Sequence, residues 1–121
     1  MMIDYRLTDA EQNLAEVIWM SEPIKSPDLV VLCSAEFNWK KSTTYTMLKR
    51  LEQKKVFQNN KSIVTSLIKK HDFYAEQSKI FVKEKFAGSL PKFIAAFTRK
   101  NKLSPEEVEE LERLINEHKE G

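Results

Sequence analysis

Between Thr8 and Leu67 the chain carries three helical patterns in succession and then two short β-prone runs, an order that few folds accept. Thr8 stands three residues before Glu11, so its hydroxyl can accept from the Glu11 amide while the Glu11 carboxylate reaches back, as in a capping box. Leu14, Val17 and Ile18, with Trp19 beside them, recur at helical spacing and predict a helix over about 9–20. Pro23 bars its continuation. Ser26-Pro27 is a second start signal, an N-cap followed by proline at the first helical position, and Leu29, Val30, Leu32 and Cys33 predict a short apolar face ending near Glu36. After Trp39, the residues Thr44, Leu48 and Leu51, with Met47 beside them, fit one buried stripe. Ser42, Thr43, Tyr45, Thr46, Lys49 and Arg50 are left largely on the other side. Val56-Phe57-Gln58 and the run from Ser62 to Leu67 flank a polar break at Asn59-Asn60-Lys61, which predicts a hairpin. Three helices closed by a short β-hairpin make a winged helix-turn-helix.

From His71 onward the pattern is helical again. Phe73, Tyr74, Ile80, Phe81 and Phe86 precede an interruption at Gly88. Ser89-Leu90-Pro91 restarts a short helix bearing Phe93, Ile94 and Phe97. Ser104-Pro105-Glu106-Glu107 opens a last one, with Val108, Leu111, Leu114 and Ile115 on one face. The expected organisation is mainly α: a winged helix-turn-helix over residues 4–70 followed by a helical dimerisation domain over residues 71–121.

Composition narrows what such a chain does. Its 121 residues are one domain's worth, or a small domain with an appendage, and 41% are hydrophobic, enough for a modest core. The one cysteine, Cys33, excludes an internal disulfide framework and reads as a buried small hydrophobe. No apolar run approaches the ~20 residues that span a bilayer, and the N-terminal segment lacks the basic-then-apolar order of a signal peptide. The expectation is a cytoplasmic protein without membrane insertion. His71 and His118 stand in unrelated contexts, with no metal-ligand spacing, and neither a phosphate-binding glycine loop nor a nucleophile elbow is present. No metal, no cofactor and no catalytic residue is expected, and so no enzyme.

Charge is more informative. The overall balance is +2, but between Glu36 and Lys70 nine Lys/Arg face only Glu36 and Glu52. Glu106 to Gly121 holds seven acids against Arg113 and Lys119. A basic centre and an acidic tail imply two surfaces with different partners. A solvated helix face is the ordinary fate of a charge run. Here the basic charge lies on a helix-turn-helix and its wing, where hydroxyls reach phosphates or base edges and cations neutralise phosphates. The expected DNA-facing residues are Lys40, Lys41, Ser42, Thr43, Tyr45, Thr46, Lys49, Arg50 and, in the hairpin, Lys61. Helix-turn-helix proteins double their site by dimerising on a palindrome. Phe93, Phe97, Leu111, Leu114 and Ile115 are the expected dimer contacts, although they could also pack back on the first domain. A second possibility is a winged-helix protein-interaction module whose basic face meets an acidic partner protein.

Three stretches, LTDAEQNLAEVIW, FNWKKSTTYTMLKRLEQKKV and AEQSKIFVKEKFAGSLPKFIAAFTRKNKLSPEEVEELERLI, resemble the BlaI/MecI/CopY family of penicillinase and methicillin-resistance repressors, over nearly the whole chain. The resemblance implies a homodimeric repressor that blocks transcription from a palindromic operator of double-stranded DNA. It further implies release through a membrane-bound β-lactam sensor and proteolytic cleavage of the repressor, at a bond whose position here is Ala96-Phe97. Lys40-Lys41-Ser42-Thr43 stands where the family has S-P-K-T, and Tyr45 where the β-lactam-responsive members commonly have Arg. The hairpin is shorter than the family's and lacks its glycines. Ala96 replaces the Asn of the resistance regulators, and the copper-binding cysteine cluster of the copper-responsive branch is absent.

Overall fold

The computed structural model describes residues 2–121. Its elements are α1 (Asp9–Ser21), β1 (Ile24–Lys25), α2 (Ser26–Phe37), α3 (Lys41–Gln53), β2 (Phe57–Asn60), β3 (Ile63–Ser66), α4 (Lys70–Phe86), α5 (Leu90–Thr98) and α6 (Pro105–Glu120). The order is that of a winged helix followed by further helices, as the sequence pattern requires. Contacts divide the chain into two units, one ending at Ser78 and the other spanning Lys79–Gly121.

In the first unit α1 begins on the Thr8–Glu11 capping box: the Glu11 amide donates to Thr8 Oγ1 (3.2 Å) and the Thr8 amide to Glu11 Oε1 (2.8 Å). The core takes Leu14, Ala15 and Ile18 from α1, Leu29 and Cys33 from α2, Leu48 and Leu51 from α3, then Val56, Phe57, Val64 and Phe73. Fully burying one aliphatic or aromatic side chain of this kind contributes about 1.5–3 kcal/mol. Trp19 lies against Phe57, Phe73 and Tyr74, and its indole N–H donates to the Ile68 carbonyl (3.1 Å), so the start of α4 is fixed on α1. Burial and the neighbouring Glu16 carboxylate push the Tyr74 hydroxyl up to about 12, which keeps it protonated and donating to Glu16.

The expected hairpin closes into a three-stranded antiparallel sheet of order β1-β3-β2. The short strand β1 had no sequence signal. It forms because Ile24 and Lys25 pair with Val64 and Ile63. The turn also falls later than the Asn59-Asn60-Lys61 break. Asn59 and Asn60 pair with Val64 and Ile63, and the chain reverses at Lys61-Ser62, with φ of 53° and 67°. Two successive left-handed residues define a two-residue hairpin turn whose twist matches that of the strands. Burial of Phe57 and Val64 sets this register.

Two local expectations for α2 are corrected. Ser26 is not its N-cap; Lys25 holds that position without a side-chain cap, and Ser26 is the first helical residue, buried, with its amide donating to the Ser62 carbonyl (2.9 Å). Leu32 is exposed, because Leu29 and Cys33, four residues apart, take the core-facing positions.

In the second unit α5 starts on Ser89, which accepts from the Lys92 amide (3.2 Å), and α6 on a second capping box, Ser104 with Glu107. Ala87 and Gly88, with φ of 52° and 79°, end α4. Phe81, Phe86, Phe93 and Phe97 form a connected set of ring contacts, with centroids 5.3 to 6.3 Å apart. Neither α5 nor α6 has a fully buried residue.

Candidate nucleic-acid interface

The third helix has two faces. Thr44, Leu48 and Leu51 are buried, and their spacing of four and three residues anchors α3 on α1 and α2. Opposite them Ser42, Thr46 and Lys49 are exposed at the same spacing, with Arg50 beside them, and Gln53 extends the stripe by one turn. Gln53 was absent from the sequence expectation, although its spacing pointed to it. Thr43 and Tyr45 lie at the border, half-buried. Tyr45 packs against the core and its hydroxyl faces Ser26 Oγ at 3.4 Å.

The N-terminus of α3 is chemically unlike those of α1 and α6. Those two helices carry acids in the first turn and a complete capping box. The first turn of α3 has no acid, and its N-cap Lys40 makes no side-chain cap hydrogen bond. Its first amides therefore keep their donor capacity beside the exposed Lys40, Lys41 and Ser42. Amide donors, helix dipole and two ammonium groups together suit an anion such as phosphate.

The nine cations of the basic centre separate into two groups. Lys54 pairs with the buried Glu11 (2.8 Å), Lys70 with Glu16 (2.8 Å) and Lys69 with Glu22 (3.7 Å). Lys40, Lys41, Lys49, Arg50, Lys55 and Lys61 make no ion pair among the described residues. Three of these lie at or before the start of α3's exposed stripe or along it, Arg50 flanks it, Lys55 follows α3 and Lys61 is at the wing turn. Sequence could not separate the groups, because each acid that engages a lysine comes from α1 or its C-cap, far along the chain.

The expected dimer contacts all lie in the second unit. Phe93 and Leu111 are half-buried, whereas Phe97, Leu114 and Ile115 are exposed, the last two by 52% and 58%. Phe93, Phe97, Leu111 and Leu114 line an apolar groove of ≈ 340 Å³ between α5 and α6. Ala96 and Phe97 lie in the last turns of α5. Among the described residues no cluster of His, Cys, Asp or Glu is placed to hold a metal ion, and no helix is long and apolar enough to cross a membrane. Burial raises the Cys33 thiol above its ordinary value, which leaves it a poor nucleophile.

The molecule is thus a winged helix-turn-helix protein with a basic third helix and an appended helical unit. Residues 7–117 match the family described as Penicillinase repressor. The chain belongs to that family, one of repressors and not of enzymes. It is 29% identical over 118 residues to the Penicillinase repressor of Bacillus licheniformis, covering 94% of this chain and 92% of that protein. It is 25% identical over 116 residues to the Methicillin resistance regulatory protein MecI of Mammaliicoccus sciuri, covering 93% and 94%. The Penicillinase repressor of Staphylococcus aureus is 24% identical over 112 residues, covering 89% of each chain.

Proposed function

We propose that this repressor acts as a homodimer on a palindromic operator, with α3 in the major groove of double-stranded DNA. The observation that carries the proposal is the exposed Ser42, Thr46, Lys49 and Arg50 face beyond an uncapped, acid-free helix start. Lys40, Lys41 and the first amides of α3 meet phosphate, Thr46 and Ser42 approach base edges, and Arg50 holds the backbone. Lys61 at the wing turn reaches a neighbouring phosphate. Tyr45 and Thr43, at the border, approach bases with the part of each side chain that the core leaves free.

The second unit supplies the dimer. An α5–α6 pair with no fully buried residue and with Leu114 and Ile115 half exposed needs further apolar cover. A second copy provides it symmetrically, so that two α3 helices meet two half-sites one helical turn apart. Cutting at Ala96-Phe97, the release step that the family resemblance implies through a membrane sensor, acts on this unit. The bond lies in α5, so a protease must first open that helix.

The proposal is tested by salt-titrated duplex binding of two variants. Arg50→Ala is expected to weaken all duplexes alike and to flatten the log-affinity against log-salt slope by about one unit, while Tyr45→Ala changes base preference. Unchanged affinity of Arg50→Ala at low salt contradicts the phosphate role.

A further inference from the structure

We infer that the outer face of α2 and β1 is a second self-association surface, on which another copy of this chain docks. The surface is a shallow hollow lined by Ile24, Lys25, Asp28, Val31, Leu32 and Ile63. Val31 is 65% exposed, Leu32 39% and Ile63 38%, so three large aliphatic side chains from α2 and β3 meet water in one place. No charged residue interrupts α2 between Asp28 and Glu36. β1 is an edge strand of the sheet, with no strand beyond it among the described residues.

The charges select the occupant. Lys25 and Asp28 both line the hollow, both are exposed, and neither makes an ion pair among the described residues. DNA is a poor partner for an apolar patch carrying an aspartate. A partner of one charge sign satisfies only one of the two groups. A second copy related by a two-fold axis satisfies both, Lys25 of each chain meeting Asp28 of the other around the shared aliphatic centre. Three exposed aliphatic residues are too few for a permanent interface, which ordinarily buries well over 1,000 Å². The contact therefore forms where chains are already held close, as between neighbouring dimers on one duplex. This last point rests on the DNA-binding proposal; the surface itself does not.

The test places a thiol at the centre. Val31→Cys chains are oxidised mildly at high concentration in free solution and, separately, on a long duplex; Cys33 stays silent because it is buried. Disulfide-linked pairs are expected in both, more on the duplex. Adding Lys25→Asp should suppress the yield severalfold, because each contact then opposes two acids. Lys25→Asp with Asp28→Lys should restore it. Affinity for a short single-site duplex, which reports on the DNA-binding proposal alone, should be unchanged by either charge substitution. Absence of the disulfide in both conditions, or a yield indifferent to the charges, overturns the inference.

Discussion

The Glu11 carboxylate shows how one residue holds the first unit together. It is fully buried, accepts from the Thr8 amide at the start of α1, and pairs with Lys54 at the C-cap of α3. Burial pushes its pKa up, but hydrogen bonds from Lys54 and Thr8 outweigh that and hold it below the ordinary value of 4.5. Glu16 is lowered in the same way: burial opposes, and Lys70 and Tyr74 prevail. A carboxylate depressed in the folded state binds fewer protons there than in the unfolded chain. Its contribution is thus complete above the ordinary glutamate value and is lost as the pH falls through the folded one. Urea midpoints measured from pH 7 down to pH 3 should therefore decline below about pH 4.5. Glu11→Gln should lower stability at pH 7, by about 1–3 kcal/mol, and flatten that decline. At the same scale, Tyr45→Ala should cost stability as well as base preference, since its ring is half-buried against the core. Its thermal midpoint should fall, whereas that of Arg50→Ala, an exposed residue, should scarcely move.

Among the elements, what was legible in sequence was what local chemistry determines. Both capping boxes, the Pro105 start and the buried stripe of α3 follow from residues within a turn or two of each other, whereas the Ser26-Pro27 signal places the start of α2 one residue late. β1 was not legible, because two residues carry no period and their pairing depends on β3. Nor was the turn: Lys61-Ser62 lacks the Asn-Gly signature, and only the Val64 register places it. In the candidate site the exposed stripe was legible from spacing, whereas the engagement of Lys54 with Glu11 was not. The uncapped start of α3 makes its own prediction. Lys40→Asp supplies the missing cap and an acid beside the helix N-terminus, and should stabilise the fold by about 0.5–1 kcal/mol. The same change should weaken duplex binding at least tenfold, which parallel thermal melts and binding curves would reveal. A variant that gains stability and keeps its affinity would remove the start of α3 from the interface.

For the whole molecule, the first unit carries the basic helix and wing, and the second the exposed apolar faces of α5 and α6. Acidic residues of α6 and basic residues of α3 keep these surfaces chemically distinct. Leu114→Asp puts a charge on the α5–α6 groove without touching the core of the first unit. It should convert the proposed dimer to monomer in sedimentation while the near-ultraviolet signal of Trp19 and Trp39, both packed on the first unit's core, persists, and should lower affinity for a two-half-site duplex far more than for random duplex. The central claim meets its most direct test in a salt titration of binding to the chain's own upstream DNA against random duplex, with the mass of the bound species measured. The account predicts a dimer that prefers the upstream duplex. If the six unpaired cations set the contact, the slope has a magnitude of at most ~5 per chain. Equal, weak binding to both duplexes, or affinity indifferent to salt, would contradict it.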